Sequence, residues 1–277
     1  MDKPQSKSWS LQFKITLNPF ASASINKFHT GIYYTEYLKQ IHRVVKPSSY
    51  LEIGVHTGVT LGFAECRAVG IDPNFQLKRN PTGKRTETYL FQLESDAFFD
   101  QHDLNNFLPG GVDFGFLDGM HKFEFLLRDF MNTEKYSHKD TIIALHDCSP
   151  VNFEIADREL NYDRRTDRHT RIWWTGDVWK LLPILRDFRP DLSVTVLDCP
   201  PTGLVVIRGC DPESKVLAGA YDEIVTKYLD VTLDGYGFEQ FRTEFPTSES
   251  RNVIQPDALK KFLLASLEFE PASRRRD

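Results

Sequence analysis

Acidic residues and histidines stand where several short apolar runs of this sequence end. Asp118 follows one run, and His146 and Asp147 follow the next. His121 comes three residues after Asp118, so the two side chains would project toward the same cavity if a helix begins there. An imidazole can remove a proton from a hydroxyl group near neutral pH, and two carboxylates can hold Mg²⁺ or a similar cation. The pattern predicts His121, Asp118 and Asp147 as catalytic residues, with Asp118 and Asp147 as candidate cation ligands.

A second set of candidates surrounds the turn in Leu-Glu-Ile-Gly-Val-His-Thr-Gly, residues 51–58. Gly54 permits a tight turn, and Gly58 lets the start of a following helix approach a ligand without a Cβ in the way. The glycine spacing differs from the dinucleotide pattern GxGxxG, and no Gly-Lys-Ser/Thr of a P-loop is present. The carboxylate of Glu52 suits a cationic or hydroxyl-rich ligand better than a pyrophosphate.

Asp72 ends the next apolar run, Ala-Val-Gly-Ile-Asp-Pro. Its carboxylate can accept hydrogen bonds from both hydroxyls of a ribose. Because Asp72 comes one strand after the glycine turn, we favour a nucleoside ligand.

Each of these candidates also has a purely structural alternative. Asp118 could cap a helix, His121 could be a polar surface residue, and His146 with Asp147 could form a hydrogen-bonded turn. The glycine turn could be an ordinary strand–turn–helix connection, and Asp72 could serve as a helix cap or a turn residue.

The elements that must position these residues alternate between strands and helices. Strands are predicted at 50–53, 68–71, 88–93, 112–117, 141–145, 192–197 and 203–207. Helices are predicted at 32–45, 122–131, 176–188, 214–229 and 256–267, with Pro183 expected to kink or divide the third. Alternation predicts parallel strands with a ligand beyond their carboxyl ends, and the short link between the last two strands makes that pair antiparallel. The predicted fold is α/β, a doubly wound, mostly parallel sheet with a terminal antiparallel hairpin.

Five segments in this order resemble the class I S-adenosylmethionine-dependent methyltransferases, which have a Rossmann-like fold. They are Leu-Glu-Ile-Gly, Gly-Ile-Asp-Pro, Leu-Asp-Gly-Met-His, Leu-His-Asp-Cys and Gly-Asp-Val-Trp-Lys. More narrowly, they resemble the subgroup whose fourth strand ends in Asp-Gly-x-His and whose fifth ends in His-Asp. That subgroup is related to cephalosporin-hydroxylase-like and sugar O-methyltransferase-like proteins. The resemblance covers roughly residues 32–210.

The resemblance implies S-adenosylmethionine as the cofactor and assigns residues around it. Those at the methionine end would be Glu52, Gly54, His56 and Gly58, with Asp118 also facing the cofactor. Asp72 would bind the ribose, and Ser95 with Asp96 would lie near the adenine. The resemblance also suggests a divalent cation at Asp118 and Asp147 and His121 as the general base. The first loop departs from the family's common GxGxG form at His56 and Thr57.

Composition limits the remaining possibilities. The 277 residues carry a net charge of -5, which argues against general affinity for nucleic acid or an anionic membrane. The four scattered cysteines suggest neither a zinc ribbon nor a disulfide framework. Without a signal-peptide core or a run of about 20 apolar residues, we expect a soluble, cytoplasmic protein. We divide the chain into an arm or lid (1–30), a methyltransferase core (31–210) and a helical extension (211–277).

The leading hypothesis is therefore methylation of a hydroxyl on a small-molecule or glycosidic acceptor, by an enzyme that could be a homo-oligomer. Its alternatives are an NAD-dependent oxidoreductase and a non-catalytic binding protein on the same fold. A basic stretch could bind an anionic or ring-bearing acceptor, or it could be a solvated loop or subunit contact. It contains Arg158, Arg164, Arg165, Arg168 and Arg171, followed by Trp173 and Trp174.

Overall fold

The computed structural model of the protein describes residues 29–264, and the predictions for residues 1–28 and 265–277 lie outside this range. Its strands are β1 Ser49–Ile53, β2 Arg67–Ile71, β3 Thr88–Phe91, β4 Phe114–Leu117, β5 Ile142–His146, β6 Ser193–Leu197 and β7 Leu204–Arg208. They form one sheet in the order β3–β2–β1–β4–β5–β7–β6.

The strand directions agree with the predicted fold. Strands β1 to β5 pair with one another in parallel, whereas β7 is antiparallel to both β5 and β6. The strand order reverses between β1 and β4, and ligands of open α/β sheets bind beside such a reversal. The doubly wound, mostly parallel sheet with a terminal antiparallel hairpin is confirmed.

Helices cover both faces of the sheet. They are α1 Tyr34–Val45, α2 Ser95–Gln101, α3 Phe123–Glu134, α4 Leu181–Phe188, α5 Val216–Gly219, α6 Tyr221–Tyr228, α7 Leu233–Tyr236, α8 Phe238–Glu244, α9 Ser250–Val253 and α10 Pro256–Leu264. On one face, Leu38 of α1 and Leu259 of α10 pack with Tyr50 of β1 and Phe114 of β4 in a single apolar cluster. Alternation along a strand sends Leu51 to a second cluster on the opposite face.

The second cluster also includes the C-terminal helices. Leu217, Ile224 and Phe241 belong to it, and the ring of Trp179 lies 5.4 Å from the rings of both Tyr236 and Phe241. Helices α2, α7, α8 and α9 are not among the predicted elements, because elements of four to seven residues are too short to show helical periodicity. Between residues 29 and 264, no helix has the length and apolar character needed to cross a membrane.

The helix predicted at 176–188 divides ahead of its proline. A 3-10 turn at Val178–Lys180 precedes α4, and Pro183 is the third residue of α4. Proline is tolerated there because the N–H groups of the first turn have no partner within the helix.

The prediction of a helix directly after Gly58 is wrong. Only a 3-10 turn at Leu61–Phe63 forms before β2 begins. The connection at 59–66 is short and contains Gly62, which disfavours an α-helix. Arg85 supports the turn instead, because its guanidinium donates hydrogen bonds to the carbonyls at both ends of it (2.9 and 3.0 Å).

Candidate active site

Two carboxylates and an imidazole converge beyond the ends of β4 and β5. One ligand atom each from Asp118, His121 and Asp147 lie within 4.8 Å of one another. The Nε2 atom of His121 is 3.3 Å from Asp147 Oδ2 and 3.7 Å from Asp118 Oδ1. Its Nδ1 atom lies 2.7 Å from the carbonyl oxygen of Trp174, which can only accept a hydrogen bond. The proton on Nδ1 therefore donates to Trp174, and Nε2 faces the two carboxylates.

His146 completes this acidic centre, defined here as Asp118, His121, His146 and Asp147. Its Nδ1 atom is 3.3 Å from Asp118 Oδ1 and 3.3 Å from Asp147 Oδ2. The hydroxyl of Thr202, which precedes β7, donates a hydrogen bond to the other carboxylate oxygen of Asp147. The sequence places His146 at a strand end but does not indicate a role for it.

Opposite charges control the protonation of the acidic centre. Burial disfavours the charged form of each histidine, but the neighbouring carboxylates outweigh it. They raise the pKa of His121 to about 9 and that of His146 to about 10. Burial works in the other direction at Asp118, where the two histidines outweigh it and hold its pKa below the usual range.

The acidic centre lines one end of a cavity of about 550 Å³, a volume that suits a small-molecule or cofactor site. The lining runs along the carboxyl ends of β2, β1, β4 and β5. It comprises Ile53, Gly54, His56, Ile71, Asp72, Pro73, Leu93, Glu94, Ser95, Asp96, Asp118, Gly119, Met120, His121, Phe125, His146 and Asp147. Of the predicted cofactor residues, all but Glu52 and Gly58 are in this lining.

Backbone hydrogen bonds fix the orientation of Asp72. Its Oδ2 atom accepts from the N–H of His56 and its Oδ1 from the N–H of Asn74, both at 2.7 Å. His56 has a φ of 44°, in the left-handed region of backbone conformation. Each carboxylate oxygen has two lone pairs, so both can accept a second hydrogen bond from a ligand in the cavity.

Ser95 and Asp96 enter the cavity from the first turn of α2. Asp96 is held by Arg128 of α3, whose Nε donates to both carboxylate oxygens at 2.8 and 3.0 Å. The side chain of Ser95 is hydrogen-bonded to the buried carboxyl group of Asp129. Burial raises the pKa of that carboxyl group to about 7. Both predicted residues are therefore fixed by contacts with α3 at the end of the cavity away from β5.

The two glycines of the first turn lie in different surroundings. Gly54 has a φ of 87°, and a Cβ there would lie 2.0 Å from the carbonyl oxygen of Asp118. Its missing side chain thus allows the ends of β1 and β4 to approach closely. A Cβ on Gly58 would instead lie 2.9 Å from Leu77 and 3.2 Å from Pro81. Gly58 therefore accommodates the loop after β2, and its position does not support the predicted contact with a ligand.

Glu52 also lies away from the cavity. It is fully buried, and its two oxygens accept hydrogen bonds from the hydroxyls of Tyr50 and Thr60, both at 2.7 Å. Glu52 precedes the last residue of β1, so its side chain points to the face covered by α1 and not over the strand end. This position does not support the predicted contact with the cofactor.

The burial of Glu52 predicts a pH-dependent stability. Burial raises its pKa to about 8, although both hydroxyls oppose this. Because the folded pKa exceeds the unfolded value of 4.5, the stabilisation is complete below pH 4.5 and is lost as the pH rises toward 8. We expect Glu52→Gln to remove this loss. In urea unfolding, the difference in unfolding free energy between variant and wild type should then shift in favour of the variant as the pH rises, by at most about 1.4 kcal/mol per pH unit. Glu36→Gln, at an exposed position, is the control, and a pH-independent difference for Glu52→Gln would contradict the assignment.

The basic stretch packs beside the acidic centre, and part of it is structural. Arg158 pairs with Glu124 and, at 3.0 Å, with Asp177. Trp174 approaches the centre most closely, with its ring 5.3 Å from that of His121 and its Nε1 donating to the carbonyl of Asp157. Arg168 and Arg171 are exposed, Arg165 is buried, and the side chain of Arg164 lies outside the described part of the chain.

Comparisons with known proteins yield solved structures only. No protein-family profile and no curated protein sequence matches the chain. An O-methyltransferase from Bacillus cereus in complex with SAH is 16% identical, with a TM-score of 0.45 over 64% of this chain and 80% of that one. The O-methyltransferase TomG from Streptomyces achromogenes, involved in tomaymycin synthesis and bound to SAM, is 13% identical, with a TM-score of 0.47 over 72% and 93%.

A third similar structure is an SAH-bound methyltransferase from Podospora anserina. It is 16% identical, with a TM-score of 0.44 over 64% of this chain and 78% of that one. With identities and TM-scores this low, the fold assignment rests on the strand order and strand directions of the chain itself.

Proposed function

We propose that the chain is an S-adenosylmethionine-dependent methyltransferase that methylates a hydroxyl group of a small-molecule or glycosidic acceptor. One observation carries the proposal: Asp72, in the place expected for a ribose ligand, and the acidic centre line the same cavity. Such a cavity can hold a nucleoside at one end and present its reactive group to a base at the other.

The charge of the cavity supports a sulfonium over a dinucleotide. Within the described residues, its lining contains five carboxylates and neither lysine nor arginine. A carboxylate-rich site attracts a cation, whereas the only charged imidazoles that a pyrophosphate would meet in this lining, His121 and His146, are already paired with Asp118 and Asp147. The first turn also leads into a 3-10 turn, so it lacks the α-helix N-terminus on which a dinucleotide phosphate rests. Both features disfavour the NAD-dependent alternative.

The protein's share of the reaction is alignment and proton removal. When bound, S-adenosylmethionine supplies an activated methyl group. In the deprotonated fraction of His121, which grows as the pH rises toward its pKa of about 9, Nε2 would take the proton of the acceptor hydroxyl as the oxygen–methyl bond forms and the sulfur–methyl bond breaks. The hydrogen bond from Nδ1 to Trp174 keeps Nε2 directed at the acceptor.

Asp118 and Asp147 would hold a divalent cation in this scheme. Their donors are hard carboxylate oxygens close to each other, as Mg²⁺ prefers. A cation there would lower the pKa of the acceptor hydroxyl and orient it. The same atom of His121 cannot both bind a cation and accept a proton, so the base role assigns the cation to the two carboxylates.

Calorimetry with S-adenosylhomocysteine tests the proposal. We expect the wild type to bind it and not NAD⁺, and Asp72→Ala to lose at least about tenfold in affinity, because a hydrogen bond to a charged group contributes about 1.5–3 kcal/mol. Asp72→Asn retains the shape of the side chain, and Asp140→Ala, at an exposed position far from the cavity, should bind normally. If the wild type bound neither S-adenosylhomocysteine nor S-adenosylmethionine, the proposed function would be wrong.

A further inference from the structure

The segment 29–33 and the first residue of α1 cross the carboxyl ends of β5 and β6 beside the amino end of β7. The N–H of Gly31 donates to the carbonyl of Asp198 at 3.0 Å, and that of Tyr34 donates to the carbonyl of Pro200 at 3.2 Å. The Nε2 atom of His29 lies 2.8 Å from the carbonyl of Ser149. The packing is close, because a Cβ on Gly31 would lie 2.1 Å from a carboxylate oxygen of Asp198. The segment is therefore fixed to the loops after β5 and β6.

The loop after β6 also fixes a carboxylate of the acidic centre. Thr202 donates its hydroxyl hydrogen bond to Asp147, and its carbonyl accepts from the N–H of Ser149 at 3.1 Å. The same loop binds the backbone of Tyr34 through Pro200. The loop after β6 therefore contacts both Tyr34 and Asp147, although these two residues are far apart in sequence.

The ring of Tyr34 lies directly on His146. The two ring centroids are 4.0 Å apart, with an angle of 34° between the planes, and the next aromatic contact of His146, with Phe116, is 6.3 Å. Among the described residues, neither nitrogen of His146 has a partner in hydrogen-bond geometry, even though two carboxylates are near. Packing against the Tyr34 ring therefore orients this imidazole together with its two ion pairs.

We propose that Tyr34 is a positioning residue of the active site, which holds the His146 imidazole between Asp118 and Asp147. His146 contacts one oxygen of each carboxylate, so its placement fixes their separation. The inference rests on the proposed function for its effect on rate, but the placement of His146 is independent of it. The ring and not the hydroxyl carries the role, since the structure gives the Tyr34 hydroxyl no hydrogen bond among the described residues.

The test compares Tyr34→Leu with Tyr34→Phe in protein labelled with ¹³C-histidine. The His146 ring signals are assigned with His146→Asn. We expect the nuclear Overhauser contacts between the rings of His146 and Phe116 to weaken in Tyr34→Leu and to persist in Tyr34→Phe, since Phe116 is present in both variants. For an acceptor found by screening with labelled S-adenosylmethionine, we expect Tyr34→Leu to lower kcat about tenfold or more, as displaced catalytic groups do, while KM for S-adenosylmethionine stays within about threefold.

Tyr37→Leu is the matched control for lost packing. Tyr37 lies one turn further along α1 in the same apolar cluster, so this variant loses stability without moving His146 or slowing transfer. Unchanged contacts between His146 and Phe116 in Tyr34→Leu overturn the proposal, and so does a displaced His146 with an unchanged kcat. Tyr34→Phe as slow as Tyr34→Leu would overturn the role of the ring. Failure of the wild type to bind S-adenosylhomocysteine sinks the proposed function alone, because the His146 signals still decide the placement.

Discussion

His121→Ala should abolish methyl transfer and leave the binding of S-adenosylhomocysteine intact. The imidazole is one of many groups lining the cavity, so its loss removes little cofactor contact. It is also the proposed proton acceptor, and removing a general base costs about 10²–10⁴ in rate. Transfer of labelled methyl under single-turnover conditions measures the effect, with calorimetry for the cofactor. His138→Ala is the control, because His138 pairs with Asp113 at 2.8 Å at the opposite end of the sheet.

Binding of Mn²⁺ decides between the two chemical roles of His121. If it is the base, His121→Ala should bind Mn²⁺ within about threefold of the wild type, whereas Asp147→Asn should bind about tenfold or more weakly, because it loses a charged ligand. Loss of Mn²⁺ binding in His121→Ala would make the imidazole a ligand instead. Undiminished turnover in His121→Ala would mean that His121 takes no part in the chemistry. If the wild type bound the cofactor but methylated no hydroxyl acceptor, the non-catalytic alternative would be favoured.

The residues at strand ends could be predicted from the sequence because parallel strands place their carboxyl ends at one edge. Asp72, Asp118 and Asp147 each follow an apolar run, and the structure brings all three to one cavity. No long-range information is needed for this inference once the strands are taken as parallel.

Glu52 is the exception among the acidic residues predicted to line the cavity. It lies within its strand and not after it, so alternation sends its side chain to a face of the sheet. The signal was present in the sequence, since Tyr50, two residues earlier, shares that face and donates a hydrogen bond to it. To predict which polar residues line the cavity, the last residue of each strand must therefore be placed correctly.

The remaining features depend on contacts between distant parts of the chain. The carbonyl of Trp174 orients His121 across 53 residues, and Thr202 reaches Asp147 across 55. Tyr34 stacks on His146 from a helix that shows only an ordinary apolar stripe in the sequence. Neither periodicity nor residue type indicates such pairs, because they are set by how the connections after β5 and β6 pack.

Gly54→Ala should destabilise the protein by about 3–5 kcal/mol and abolish cofactor binding, because a conformational cost and a steric cost combine. A Cβ at positive φ costs about 1–2 kcal/mol for an alanine, and here it would also lie 2.0 Å from the Asp118 carbonyl oxygen. Since that oxygen belongs to the backbone, the end of β4 must shift, and Asp118 shifts with it. Urea unfolding and calorimetry with S-adenosylhomocysteine measure the two effects.

Gly110→Ala separates the strain from the collision. Gly110 has a φ of 98°, close to that of Gly54, but a Cβ there would meet no atom within 4 Å. Its alanine variant should therefore show the conformational cost of about 1–2 kcal/mol alone and bind the cofactor normally. Equal destabilisation of the two variants would mean that β1 and β4 tolerate a wider separation. In that case the close approach of Gly54 to Asp118 is not what shapes the cavity.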